Sequence, residues 1–270
     1  MGMATKMKTD PMLLVFAVAG AVLITFISLP ILATVASENP SDTFGALKEP
    51  EVRAAIGTSF VAALVATALS FLFGVPLAYV MARVKFPGKG IVQSIIDVPV
   101  VIPHTIAGIA LLVVFGRMGV FSDQMDALGL RFEDHLLGIV TAMMFVSCSF
   151  VVNSAREGFE AVDERLENVA RSLGASRTGA FLTVTVPLSL SSLATGAIMA
   201  WARAVSEFGA VVIIAFFPRV IPTLIYEKNL HGGLSESIPI AALLVIICVS
   251  IFAVFRTLAA MWKRRTEEEQ

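Results

Sequence analysis

The chain has 270 residues, of which 57% are hydrophobic and only 15% are charged, with a mean hydropathy of +0.85. A soluble domain carries about 25% charged residues. Here 20 basic and 21 acidic residues are clustered so that long uncharged stretches recur between them. That excludes a disordered chain, a nucleic-acid binder and an ordinary cytosolic enzyme, and it points to an integral membrane protein. The formal net charge of −1 says little about partners, because in a membrane protein the placement of charge matters more than its sum.

A hydrocarbon core takes about 20 mostly apolar helical residues, and six segments qualify: 11–36, 54–82, 91–115, 136–154, 187–217 and 238–262. All are too long for the roughly ten-residue alternating strands of a membrane barrel. The expected fold is therefore all-α, with six transmembrane helices in a single domain over residues 1–270. Lys6 and Lys8 precede the first segment and Ala33-Thr34-Val35-Ala36 follows it, as in a signal peptide. Its apolar core exceeds the roughly 7–15 residues of a signal peptide's apolar region, so it is read as an uncleaved helix. Cys148 and Cys248 lie inside apolar runs, at no ligand or disulfide spacing, and are read as small apolar fillers.

Loop charge orients the spans. With the N-terminus inside, the inner segments hold Lys6, Lys8, Arg83, Lys85, Lys89, Arg156, Arg165, Arg171, Arg177, Arg256, Lys263, Arg264 and Arg265. The outer loops hold only Lys48, Arg53, Arg117, Arg131, Arg219 and Lys228. Both termini are expected to be cytoplasmic.

In the third segment Pro99 and Pro103 each remove a backbone donor and break or kink the helix. Carbonyls freed at membrane depth are tolerated only against protein or a water-filled cavity, so this segment is expected to line a pathway or a helix interface. His104, with Thr105 beside it, reads either as a hydrogen-bonded packing residue or as a ligand; no second His or Cys stands at metal spacing. Asp97 reads as a structural cap or contact near the cytoplasmic interface.

The loop 156–186 is long and cytoplasmic in this orientation. Asp163 can cap a helix that Gly174 ends. Within that helix Leu166, Val169, Ala170 and Leu173 form one apolar stripe, with Glu167, Asn168 and other polar residues around it. A second short helix starts at Ser176, after Ala175. A helix this short is marginal alone, so the stripe must dock, either on its own membrane domain and headgroups or on a separate cytoplasmic protein. No nucleotide-hydrolysing loop accompanies it. Gly88-Lys89 has Arg83 where a phosphate-binding loop needs its first glycine, and Gly90 follows instead of Ser or Thr.

In the fifth segment Arg203 stands near mid-membrane, where a charge costs about 2.5 kcal/mol or more. Glu207, four residues on, shares its face. The pair reads either as an intrahelical bridge or, with Ser206, as part of a translocation path or gate. The outer stretch from Phe217 to Tyr226, with Gly232-Gly233, reads as a loop, either plainly solvated or able to seat an external partner. No catalytic constellation is found.

Several of these runs resemble one family. The run Glu167-Asn168-Val169-Ala170-Arg171-Ser172-Leu173-Gly174-Ala175-Ser176, with Val186-Pro187, resembles the EAA coupling loop of ABC-importer permeases, with Asn168 where the family has its glutamate. Arg203-Ala204, Ser206-Glu207-Phe208-Gly209 and the Asp97/Pro99/Pro103 block resemble the molybdate, tungstate and sulfate branch; His104-Thr105 is closest to the molybdate/tungstate members. The resemblance implies a type I ABC importer permease subunit in the cytoplasmic membrane that translocates molybdate or tungstate inward. It implies a homodimer, two separate ABC ATPase subunits that carry the ATP and Mg, and an extracytoplasmic oxyanion-binding protein. It implies no cofactor bound by this chain and no nucleic-acid partner. Residues 167–170 and 173–176 would couple to the ATPase; Pro99, Pro103, His104, Thr105, Arg203, Ser206 and Glu207 would border the path. A sulfate or thiosulfate permease is the alternative within the branch, and a gradient-driven secondary anion transporter is the alternative outside it.

Overall fold

The protein is described by a computed structural model over residues 11–268, all-helical with no strand among the described residues. Lys6 and Lys8, and the side chains of Arg256, Lys263, Arg264 and Arg265, lie outside the described residues. The helices are α1 (Pro11–Ala36), α2 (Pro40–Gly45), α3 (Pro50–Arg83), α4 (Lys89–Val101), α5 (His104–Phe115), α6 (Ser122–Ala127), α7 (Leu136–Ala161), α8 (Glu164–Ser172) and α9 (Arg177–Ala180). They continue with α10 (Val186–Leu188), α11 (Leu190–Val205), α12 (Val211–Ile214), α13 (Ile221–Gly232) and α14 (Leu234–Glu268). Four are long and apolar enough to cross a bilayer singly: α1, α3, α7 and the Leu234–Phe255 part of α14. Two further helix pairs are apolar and long enough only when taken together, and both are sharply bent: α4 with α5 at 114° and the run Arg177–Leu188 with α11 at 73°.

The chain forms two compact units. One contains residues 1–49 and 228–270. Within it α1 buries no residue, as suits a helix apolar on every side and surrounded by lipid. Two of its hydroxyls bond within the helix, Ser28 to the Ile24 carbonyl at 2.8 Å and Thr34 to the Pro30 carbonyl at 2.9 Å, as a polar group in hydrocarbon must.

The other unit, residues 50–227, is built on α3, α7 and α11. Ala62, Ala66, Ser70, Gly74 and Ala78 recur every four residues on the buried face of α3, and small residues let membrane helices approach closely. A Cβ on Gly74 would stand 3.0 Å from Val152 of α7, and one on Gly158 of α7 would stand 2.6 Å from the Ser192 Cβ of α11. The core between these helices is filled by Ile139, Met143, Val146, Val211 and Ile214.

Two expectations change. The apolar run 187–217 is not one helix: α11 stops at Val205, a turn occupies Ser206–Ala210, and α12 is a single turn. The cause is local, since the Glu207 carboxylate accepts the Ala210 amide at 2.7 Å and so takes over a backbone donor that a continuing helix would have used. The stretch expected as an outer loop is helical from Ile221 onwards, with Ile221, Thr223 and Leu224 buried. The Ile221 amide donates to Ser59 of α3 at 2.8 Å, and Arg219 grips Glu227 through two bonds of 2.5 and 2.7 Å.

Candidate functional site

Because α11 ends at Val205, Arg203 sits in a last helical turn, where a cation meets the unpaired carbonyls and the negative end of the helix dipole. Its Nη2 donates to Glu207 Oε2 at 2.6 Å and to His104 Nε2 at 2.7 Å. A guanidinium only donates, so the facing nitrogen of His104 must carry a lone pair. Glu207 is 1% exposed and makes the Ala210 cap with its other oxygen. Ser206 is exposed; its hydroxyl donates to the Arg203 carbonyl at 3.1 Å and lies 3.4 Å from Arg203 Nη1.

The residue types around this cluster are set by close approach. A Cβ on Gly209 would come within 2.8 Å of the His104 Cβ, and one on Gly108 within 2.8 Å of the Ala210 carbonyl oxygen. The break after α11 therefore lies against the first turns of α5, and the two interrupted spans meet at His104, Arg203 and Glu207. The structure thus unites three of the sequence-selected path residues. Pro99 is buried, while Pro103 and Thr105 are exposed beside His104. The Arg203–Glu207 bridge exists, and the arginine keeps 22% of its side chain exposed.

Ahead of the break between α4 and α5, Asp97 is the structural contact expected from the sequence, in a polar chain whose other members the sequence reading missed. Asp97 accepts from Asn153 and from Gln93, each at 2.8 Å. Gln93 also donates to Asn153 at 2.9 Å and accepts from Arg156 at 2.5 Å. Ser149 donates to the Ile96 carbonyl at 2.7 Å. Gln93 with Asp97, and Asn153 with Arg156, are polar residues at helical spacing inside or beside apolar segments, which is the signal that could have found them.

In the loop, the Asp163 carboxylate accepts the Arg165 amide at 2.9 Å and starts α8; the Ser176 hydroxyl accepts the Gly179 amide at 3.0 Å and starts α9. Gly174 lies between them with φ +99°, a left-handed conformation that favours glycine. Leu166, Val169 and Leu173 are exposed, Leu173 by 84%, with Asn168 and Ser176 also exposed and Ala170 and Ala175 half-buried. Leu166, Val169 and Leu173 thus point away from the chain's own described helices.

Glu167 departs from that pattern. Grouped by sequence with the outward residues, it is the one residue of α8 that is buried, because donors surround it. Thr185 reaches Oε1 at 2.7 Å, Tyr79 reaches Oε2 at 2.8 Å, and Arg83 reaches Oε1 through Nε at 2.9 Å. Burial alone would raise its pKa, but these hydrogen bonds and the charge of Arg83 outweigh that and hold the carboxyl below the usual glutamate range.

Residues 74–267 match the family described as binding-protein-dependent transport system inner membrane component. The molybdate/tungstate transport system permease protein WtpB of Thermococcus kodakarensis is 45% identical over 255 residues, covering 93% of this chain and 98% of that protein. The molybdenum transport system permease protein ModB of Escherichia coli K12 is 34% identical over 230 residues, covering 83% of this chain and 98% of that protein. In fold, the chain resembles the crystal structure of a bacterial ABC transporter involved in the import of the acidic polysaccharide alginate. That match has a TM-score of 0.72 at 18% identity, over 94% of this chain and 96% of the other. This multi-pass membrane protein therefore belongs to the family of binding-protein-dependent transport system inner membrane components.

Proposed function

We propose that this chain is the permease subunit of an ABC importer for molybdate and tungstate, working as a homodimer with both termini in the cytoplasm. Two copies enclose the path, each with Arg203 near its centre, and each copy docks α8 and α9 on one separate ATPase subunit that binds the ATP and Mg. An extracytoplasmic binding protein delivers the oxyanion. The relatives named for molybdate and tungstate transport support the cargo. The carrying observation for coupling is the orientation of α8: a capped short helix presents Leu166, Val169 and Leu173 to solvent while a buried carboxylate holds its other side.

Each part of the site has work to do in this reading. A half-exposed guanidinium in a low-dielectric setting attracts a tetrahedral dianion. Glu207 and His104 hold that guanidinium when no anion is present, so the charge is never left without a partner. The bends at 102–103 and 206–210 place irregular backbone beside the cluster, where it can line a wet cavity. Reconstitution in liposomes with the ATPase and the binding protein tests the whole assignment. Molybdate- or tungstate-loaded binding protein is expected to stimulate ATP hydrolysis and inward transport. Equal stimulation by sulfate would overturn the cargo, and transport that proceeds without ATP would overturn the coupling.

A further inference from the structure

The coupling helix is tied to the membrane unit by charge rather than by its apolar residues. Leu166, Val169 and Leu173 point outward, and the only buried residue of α8 is Glu167. Its carboxylate ties α8 to two other parts of the chain. Tyr79 and Arg83, one turn apart at the end of α3, supply one side. Thr185, at the end of the helical stretch Phe181–Thr185 that leads into α10 and α11, supplies the other. Arg83 also donates through Nη2 to the Val162 carbonyl at 2.9 Å, just where the chain leaves α7 to enter α8. Aromatic rings fix Tyr79 in turn, edge-on to Phe181 at 4.7 Å and to Phe159 at 5.9 Å.

Such a linkage differs mechanically from an apolar contact. Leucine against leucine can slide, since dispersion is weakly directional. Short charge-assisted bonds to a buried carboxylate fix both distance and direction. A displacement imposed on α8 must then move α3 and the Phe181–Leu188 run together, and that run continues through a 73° bend into α11, the helix whose last turn carries Arg203.

We infer that Glu167, with Arg83, Tyr79 and Thr185, is a strut that transmits movement of the coupling helix to the spans around the path, and that it does not itself contact the ATPase. The inference rests on the proposed docking of α8 on an ATPase and assigns the inner half of that connection. Glu167 is a positioning residue: it acts through α3 and α10 and touches neither cargo nor nucleotide.

The test uses the full complex in proteoliposomes and reads molybdate transported per ATP hydrolysed. Glu167→Gln keeps the shape and removes the charge. It is expected to co-purify with the ATPase at the wild-type level and to lower the ratio at least tenfold. Thr185→Val removes one hydroxyl and is expected to lower the ratio about two- to threefold. An unchanged ratio in Glu167→Gln overturns the strut, as does loss of the ATPase, which would place Glu167 in the contact with that subunit. If Glu167→Gln fails to insert, Thr185→Val decides: a lowered ratio supports the strut and an unchanged one overturns it. The double variant Arg83→Met/Glu167→Met separates transmission from bulk stability. A complex restored in thermal stability but still uncoupled supports the strut, whereas one restored in both overturns it. The underlying docking reading fails by a different sign, retention of the ATPase by Leu173→Asp.

Discussion

Arg203 and Glu207 depend on one another in a way that shapes any experiment on the path. Glu207 is 1% exposed, so Arg203→Ala alone leaves a buried carboxylate without its cation, at a cost of about 3–5 kcal/mol. Reduced transport in that variant would mix lost binding with lost assembly. The pair Arg203→Met/Glu207→Gln removes both charges and is expected to restore the amount of assembled protein, measured by size-exclusion chromatography in detergent. Transport is expected to stay at least tenfold below wild type; full recovery would confine Arg203 to a structural role. Glu167 carries a separate prediction in pH. Its carboxyl is held below the ordinary value of 4.5, so its contribution to stability is fully present above that pH and is lost as pH falls through the lower folded value. Thermal unfolding of the purified protein is expected to show wild type losing stability more steeply than Glu167→Gln below about pH 4.5, with the two curves parallel above it.

At the scale of elements, α8 joins an exposed apolar stripe to a left-handed corner at Gly174, and the two can be tested apart. Leu173 is 84% exposed and makes no core, so Leu173→Asp is expected to abolish ATPase co-purification while leaving the thermal stability of the isolated permease unchanged. Gly174 has open space where a Cβ would go but a φ of +99°. Gly174→Ala is therefore expected to destabilise the α8–α9 corner by about 1–2 kcal/mol through backbone strain alone, seen as faster amide exchange at residues 172–178. The caps Asp163 and Ser176, the stripe and Gly174 are all legible in the sequence, because each is a local rule acting within a few residues. The inward turn of Glu167 is not. Its partners lie 84 to 88 residues away for Arg83 and Tyr79, and no local pattern distinguishes an acid bound inside from one facing water.

The molecule as a whole has a sidedness that loop charge predicts and labelling can check. Asn168→Cys is expected to react with a membrane-impermeant maleimide only in inverted vesicles, and Asp126→Cys only in intact cells; the reverse pattern would invert the topology. Membrane residence, helical spans and the loop between α7 and α11 follow from composition and periodicity, since hydrocarbon forces every spanning backbone to bond within itself and a run of about 20 apolar residues has few other uses. The bend of 114° between α4 and α5 was signalled by Pro99 and Pro103, but its size was not. That angle depends on what catches the freed chain: Asn153, Gln93 and Ser149 on one side and the close approach at Gly108 on the other. The end of α11 at Val205 was likewise hidden, because the run to Phe217 stays apolar and only Glu207, reaching its own backbone and Arg203, stops the helix. Which segments lie in the membrane is thus decided one span at a time by their own solubility. Where those spans break, and which charges meet at the breaks, is decided only when distant polar groups satisfy one another in a medium without water.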